Sequence, residues 1–293
     1  MGDSTLYYPS KYLYALLMKL ENEGVDDPEY EKMTLSEASA LVLQRANTFH
    51  LFARGDQGGP RPIKIPDGTW IEWMSLEYIS KSVEGMFVTA EEMNPDIVVA
   101  NMGFHWLHLC GFKMCPSLSE EHGPLIIQHW VNYKTDWLQR VYDMAVKVNA
   151  KLLLFKTNNF ICDEKRTEGW ETWSSRYLSF DSKTIEDCYQ ENLKFSDSHN
   201  IPTDQILSYC KYGQFTELGS EYLNDQIKDF VREIQENNPD STLTVGIFND
   251  HDIEGCHSTE DSIHHKLNML MRLRLLSNTI ESYSECSLPM ISK

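Results

Sequence analysis

Two short stretches of this chain carry residues whose types and spacing could run acyl-transfer chemistry. The first is Gly2-Asp3-Ser4-Thr5, ahead of an amphipathic stretch. A serine in a tight turn that opens a helix exposes its hydroxyl where backbone N–H groups and the helix dipole favour a developing oxyanion. The second is Glu260-Asp261-Ser262-Ile263-His264-His265. An Asp three residues before a His, in a turn ahead of a helix, sets both side chains on one rim. The carboxylate then accepts from one imidazole nitrogen while the other faces a serine hydroxyl, as in a Ser-Asp-His triad. Each stretch also has a plainer reading. Gly-Asp-Ser is a common turn tripeptide and N-cap, and Asp261 could simply cap the last helix. His265 rivals His264, which is preferred because it keeps the three-residue offset.

A further dense group is Asp250, His251, Asp252, Glu254, Cys256 and His257. A metal-dependent hydrolase is one reading of positions 250–257. The spacing matches no zinc motif, so a solvated acidic loop is the expectation, with no metal and no cofactor. His105, His108, Cys110 and Cys115 call for the same restraint. Trp106, Trp170 and Trp173 are candidates to line a sugar cleft, although tryptophans at strand ends and in long loops more often pack.

Alternating elements must position these residues. Strands are expected at Trp70 to Met74, Asp96 to Asn101, Lys151 to Phe155 and Leu243 to Phe248. The near-continuous apolar run from Asp96 to Asn101 is of the kind buried on both faces of a parallel sheet. Helical spacing marks Pro9 to Leu20. The capping box Thr34-Leu35-Ser36-Glu37 opens a helix to about Asn47. Further helices are expected from about Trp130 to Val148, from about Glu217 to Gln235 and from about His265 to Ile280. In the Trp130 helix, Trp130, Tyr133, Trp137, Val141, Met144 and Val148 share a face. Alternation of strand and helix makes the fold α/β with a parallel sheet. One domain over 1–293 is expected, with a long polar loop insertion at about 157–200.

Composition bounds the function. The chain has 293 residues, 41% of them hydrophobic, and a formal net charge of −18. That charge argues against nucleic-acid binding, which needs clustered Lys and Arg, and favours a neutral or esterified small molecule or glycan. No apolar run approaches a membrane span, and the N-terminus lacks the charged and apolar regions of a signal peptide. Seven cysteines form no CxxC framework, so their spacing leaves the redox compartment open.

Taken in order, the motifs resemble those of the SGNH (GDSL-like) hydrolase superfamily, and more narrowly its PC-esterase branch, which includes the trichome-birefringence-like polysaccharide O-acetyltransferases. Gly2-Asp3-Ser4-Thr5 is similar to the nucleophile block. Trp70 to Ser75 resembles the second strand of that branch. Pro95 to Trp106, in which a strand ends in Asn101-Met102-Gly103, resembles the third block, and Asp261-Ser262-Ile263-His264 the last. The resemblance implies Ser4 as nucleophile, His264 as base and Asp261 as its orienting acid. It implies an oxyanion site from the Ser4 backbone N–H with Gly2, Asp3, Asn101, Gly103 and His105, where either His105 or a backbone amide takes the place of the Asn that the wider superfamily carries in its Gly-x-Asn. The implied fold is a flavodoxin-like three-layer sandwich with strand order 2-1-3-4-5. Because the first strand of that order belongs before the nucleophile turn, a strand is expected upstream of Met1, along with a secretory or Golgi-lumenal setting if a targeting segment precedes it. The implied activity is that of a serine esterase or O-acyltransferase. The alternative is a catalytically silent relative that binds without turning over.

Overall fold

The computed structural model describes residues 84–107 apart from 85, 86, 89 and 93. It also describes 123–162, 164, 182–213, 216–249, 251–253 and 255–256, together with 272, 275, 276, 278–280, 282 and 283. Three of the expected strands form a parallel sheet in the order β1-β2-β3: β1 is Ile97–Ala100, β2 is Leu152–Lys156 and β3 is Thr244–Phe248. Register runs from Ile97 opposite Leu152 to Ala100 opposite Phe155, and from Leu152 opposite Thr244 to Lys156 opposite Phe248. All five residues of the central strand are buried: its four apolar residues, Leu152 to Phe155, suit a strand covered on both faces, and Lys156 is buried with them. The Trp70 run and any strand before Met1 fall outside the described residues, so the sheet is described over three strands.

Parallel neighbours need long crossovers. Between β1 and β2 lie α1 (Gly103–Leu107), α2 (Gly123–Val131), a π-helical stretch over Lys134–Gln139 and α3 (Arg140–Lys147). The face expected from helical spacing is buried throughout: Trp130, Tyr133, Trp137, Val141, Met144 and Val148 are each no more than 4% exposed. Between β2 and β3 lie α4 (Ser182–Asn192), α5 (Lys194–His199), α6 (Thr203–Tyr212) and α7 (Glu217–Asn237). Thr216 caps α7 by accepting from the Gly219 N–H at 3.2 Å, which fixes where Glu217 begins its first turn. Three asparagines, Asn94, Asn149 and Asn200, sit at positive φ. Asn149 and Asn200 close α3 and α5, using the tolerance of asparagine for the left-handed region.

The part of the expected loop insertion that the structure describes is built differently. Residues 157–162 continue from β2 and are buried apart from half-buried Phe160, and 182–199 form α4 and α5. Cys188 and Phe195 of these helices belong to the main core, and a disulfide joins Cys188 of α4 to Cys210 of α6. Few apolar residues anchor these helices, which is why their polar composition reads as loop.

The sheet is covered on both sides. One face carries Val98, Ala100, Leu153, Phe155 and Val245 into a large cluster with α2, α3 and α7. The other packs Leu152, Leu154 and Phe248 with Leu275, Leu276, Ile280 and Tyr283, the apolar side of the expected last helix. The Tyr283 ring lies directly on Gly246, where a Cβ would stand 2.2 Å from it. Among the described residues no helix is long and apolar enough to cross a membrane.

Candidate functional site

Past Phe155 the chain stays buried but changes chemistry: Lys156, Thr157, Asn158 and Asn159 are each at most 1% exposed. A buried polar group without a partner costs about 1–3 kcal/mol, so these residues need partners from elsewhere. They find them at the C-terminal ends of all three strands and at the start of α7. Asn101, just after β1, donates through Nδ2 to the Lys156 carbonyl and to Asn158 Oδ1, both at 3.0 Å. Lys156 Nζ donates to the Thr157 carbonyl and to Asn159 Oδ1, both at 2.7 Å. Asn224 of α7 accepts from the Asn158 N–H at 2.6 Å and donates to its carbonyl at 3.3 Å. Ser220 donates to the Asn159 carbonyl at 2.8 Å.

Gly103 is required at this edge. A Cβ there would lie 1.5 Å from Asn158 Oδ1, so the Asn158 carboxamide occupies the place of a side chain. The Asn158 Nδ2 group is buried without a hydrogen-bond partner among the described residues.

Beside this network stands a histidine between two carboxylates. His251 opens a short 3-10 helix, His251–Ile253, after β3. Its Nε2 lies 2.7 Å from Glu217 Oε1 and its Nδ1 3.4 Å from Asp252 Oδ1. Glu217 Oε2 in turn accepts from the Ile161 N–H at 2.5 Å. Thr157 Oγ1 accepts from the His251 N–H and donates to Asn249 Oδ1, both at 3.3 Å. Burial pulls the His251 pKa down, but the hydrogen bonds and charges of Glu217 and Asp252 together outweigh it and hold it above the ordinary histidine value. Asp252 is held low, first by the amide of Asn249 (2.8 Å) and then by His251. His129 goes the other way: burial against Trp106 lowers its pKa despite Asp136 at 3.4 Å.

The sequence candidates divide accordingly. Asn101 and Gly103 stand together at the C-terminal end of β1, both buried. His105 lies in α1, its side chain outside the described residues. Gly2, Asp3, Ser4, Asp261 and His264 lie outside them, as do Asp250, Glu254, His257, Trp170 and Trp173. Cys256 of the acidic cluster is bonded to Cys162, so its sulfur is not a free thiolate for a metal. Among the described residues no group of three or more His, Cys, Asp or Glu is arranged to hold a metal ion. Trp106 is a packing residue: it is 1% exposed, stacks on His129, and donates to the Trp130 carbonyl at 3.3 Å.

Spacing did not identify the Lys156–Asn159 run, Glu217, Ser220 or Asn224. The available signal was a polar run directly continuing an apolar strand. Open parallel sheets bind ligands outside the carboxyl ends of their strands, and this is where the network sits. No family model matches the chain, and no curated protein or solved structure is similar to it at a significant level. The fold therefore defines the class, an α/β protein with a parallel sheet and a dense polar edge.

Proposed function

We propose that this chain is a serine esterase or O-acyltransferase that works through an acyl-enzyme on Ser4, on a short-acyl ester of a glycan or lipid. The observation that carries this reading is the Asn101-Met102-Gly103 turn at the C-terminal end of a parallel strand, with Gly103 pressed against a buried carboxamide. The motif resemblance assigns the third block to such a position, and ligands of open α/β sheets collect there. A buried donor left without a partner, Asn158 Nδ2 beside Gly103, also fits an edge kept for a functional contact.

In the proposed reaction Ser4 Oγ attacks the acyl carbonyl while His264 takes its proton and Asp261 stabilises the imidazolium. His264 then protonates the leaving alkoxide. Water or a sugar hydroxyl attacks the acyl-Ser4 carbonyl and gives its proton to His264, which passes it to Ser4 Oγ as the acyl–oxygen bond breaks and the serine is freed.

A silent binding protein is the second reading, and one observation favours it. Both Nδ2 hydrogens of Asn101 are committed to Lys156 and Asn158, so that amide is a tie within the fold. Labelling with a fluorophosphonate separates the two. The expected result is a single adduct mapped to Ser4 and lost in Ser4→Ala; a folded protein that takes no label at Ser4 would overturn the enzyme reading. Release of p-nitrophenol from its acetate ester, with and without an acceptor glycan, then divides esterase from transferase.

A further inference from the structure

The two disulfides among the described residues sit in opposite settings. Cys188 and Cys210 are both fully buried in the main core between α4 and α6. Cys162 is buried in the segment that follows β2, while its partner Cys256 follows β3 and is partly exposed. The second bond spans a sequence separation of 94. It joins the same two segments that Thr157, Glu217 and His251 join by hydrogen bonds: the His251 N–H on Thr157, and the Ile161 N–H and His251 ring on one Glu217 carboxylate.

We propose that Cys162–Cys256 is a thiol-reducible brace across the strand-end edge, opened by a dithiol reductant, while Cys188–Cys210 is a sealed staple of the helical layer. Exchange needs a thiolate to reach a sulfur, so access decides which bond reacts while the fold stays together. The attacking thiolate of the dithiol bonds to Cys256 Sγ, and the electron pair of the S–S bond leaves on Cys162 Sγ, which takes up a proton. The second thiol of the reductant loses its proton and attacks its partner sulfur, releasing Cys256 as a thiol. One dithiol is thereby oxidised to its cyclic disulfide and one protein disulfide is reduced, a transfer of two electrons. What remains across the edge is a set of hydrogen bonds, the Thr157 N–H on the Phe248 carbonyl and those joining buried Thr157 and Ile161 to the half-buried His251 and Glu217, which open locally more easily than a covalent link. The opening itself rests on the partial exposure of Cys256 against the full burial of Cys188 and Cys210. Its effect on ester chemistry rests on the reading of Ser4 as nucleophile.

The test is stepwise reduction of the folded protein with dithiothreitol, trapping by alkylation, peptide-resolved mass spectrometry and amide hydrogen exchange. Cys162 and Cys256 are expected to be alkylated together at low reductant, and Cys188 and Cys210 only after denaturation. Exchange in 157–162 and 251–256 is expected to rise by about tenfold while α4 and α6 stay protected. Cys162→Ala/Cys256→Ser should show the same exchange pattern without reductant. Reduction of Cys188–Cys210 first or at the same reductant, alkylation of Cys162 and Cys256 without reductant, or unchanged exchange at the edge would each overturn the proposal. Fluorophosphonate labelling of Ser4 in the same samples is read separately. Labelling that falls on reduction makes the brace a control on the enzyme. Absence of labelling in the oxidised protein counts against the ester reading and leaves the exchange result standing.

Discussion

The consecutive stretches Leu152–Phe155 and 156–159 are equally buried and built from opposite chemistry. The apolar stretch needs nothing beyond apolar surface above and below, and helices on both faces supply it. The polar stretch needs partners of correct geometry, and it takes them from Asn101, Ser220 and Asn224, with Asn249 and His251 meeting Thr157. Burial of apolar groups is non-directional and tolerant of their source. Burial of amides and an ammonium is not, since each unmet donor or acceptor is costly. A fold that only had to be stable would let the chain surface after Phe155. Keeping it buried through Asn159 concentrates ordered polar groups at one end of the sheet.

Four changes would break or sharpen this contrast. The largest effect is expected from Leu153→Ala, which opens a cavity under a fully buried side chain and should lower unfolding free energy by about 2–5 kcal/mol in urea titrations. A loss below about 1 kcal/mol would mean that the apolar stretch is not the mainstay of the sheet. Gly103→Ala drives a methyl into Asn158 and should cost about 1–3 kcal/mol. Increased exchange of the Asn158 amide would mark the polar network as the site of damage, and an unchanged melting temperature would contradict the close approach.

His251 comes next. Its pKa is held above 6.5 in the folded protein, so its stabilising contribution is complete below the unfolded value and is lost as pH rises through the folded one. The melting temperature of the native protein should therefore fall relative to that of His251→Gln as pH is raised from below 6.5 upward, and parallel curves would contradict the raised pKa. The smallest effect is expected at the exposed Asp229–Arg232 pair on α7, 2.6 Å apart. Arg232→Ala should change stability by about 0.5 kcal/mol or less. A larger loss would blur the distinction between ties at the surface and ties in the buried edge.

Much of the frame was legible in the chain. The four apolar residues of 97–100 and of 152–155, and the mostly apolar stretch from Leu243 to Phe248, are short runs of the kind a parallel strand carries. The spacing from Trp130 to Val148 and the first turn at Glu217 are likewise local signals. Of the site, Asn101 and Gly103 were singled out by the motif resemblance, which sets them in a turn after a strand. The polar end of β2 was not, because Lys156-Thr157-Asn158-Asn159 has the composition of an exposed loop until its partners are known. Glu217 read only as a residue at a helix start, and His251 only as part of an acidic cluster. The disulfides were equally hidden, since separations of 94 and 22 follow no short-range pattern.

By itself the sequence determined the three strands, the buried face from Trp130 to Val148 and the helix from Glu217, because periodicity and caps act over a few neighbouring residues, but not the polar helices at 182–199. It also carries the motif order on which Ser4, Asp261 and His264 are proposed. Only the tertiary structure decided which polar residues are buried and what satisfies them. Asn101 meets Asn158 across a separation of 57, and Asn158 meets Asn224 across 66. Whether a polar side chain is solvated or locked depends on the elements that arrive from such distances, and no local pattern records their arrival.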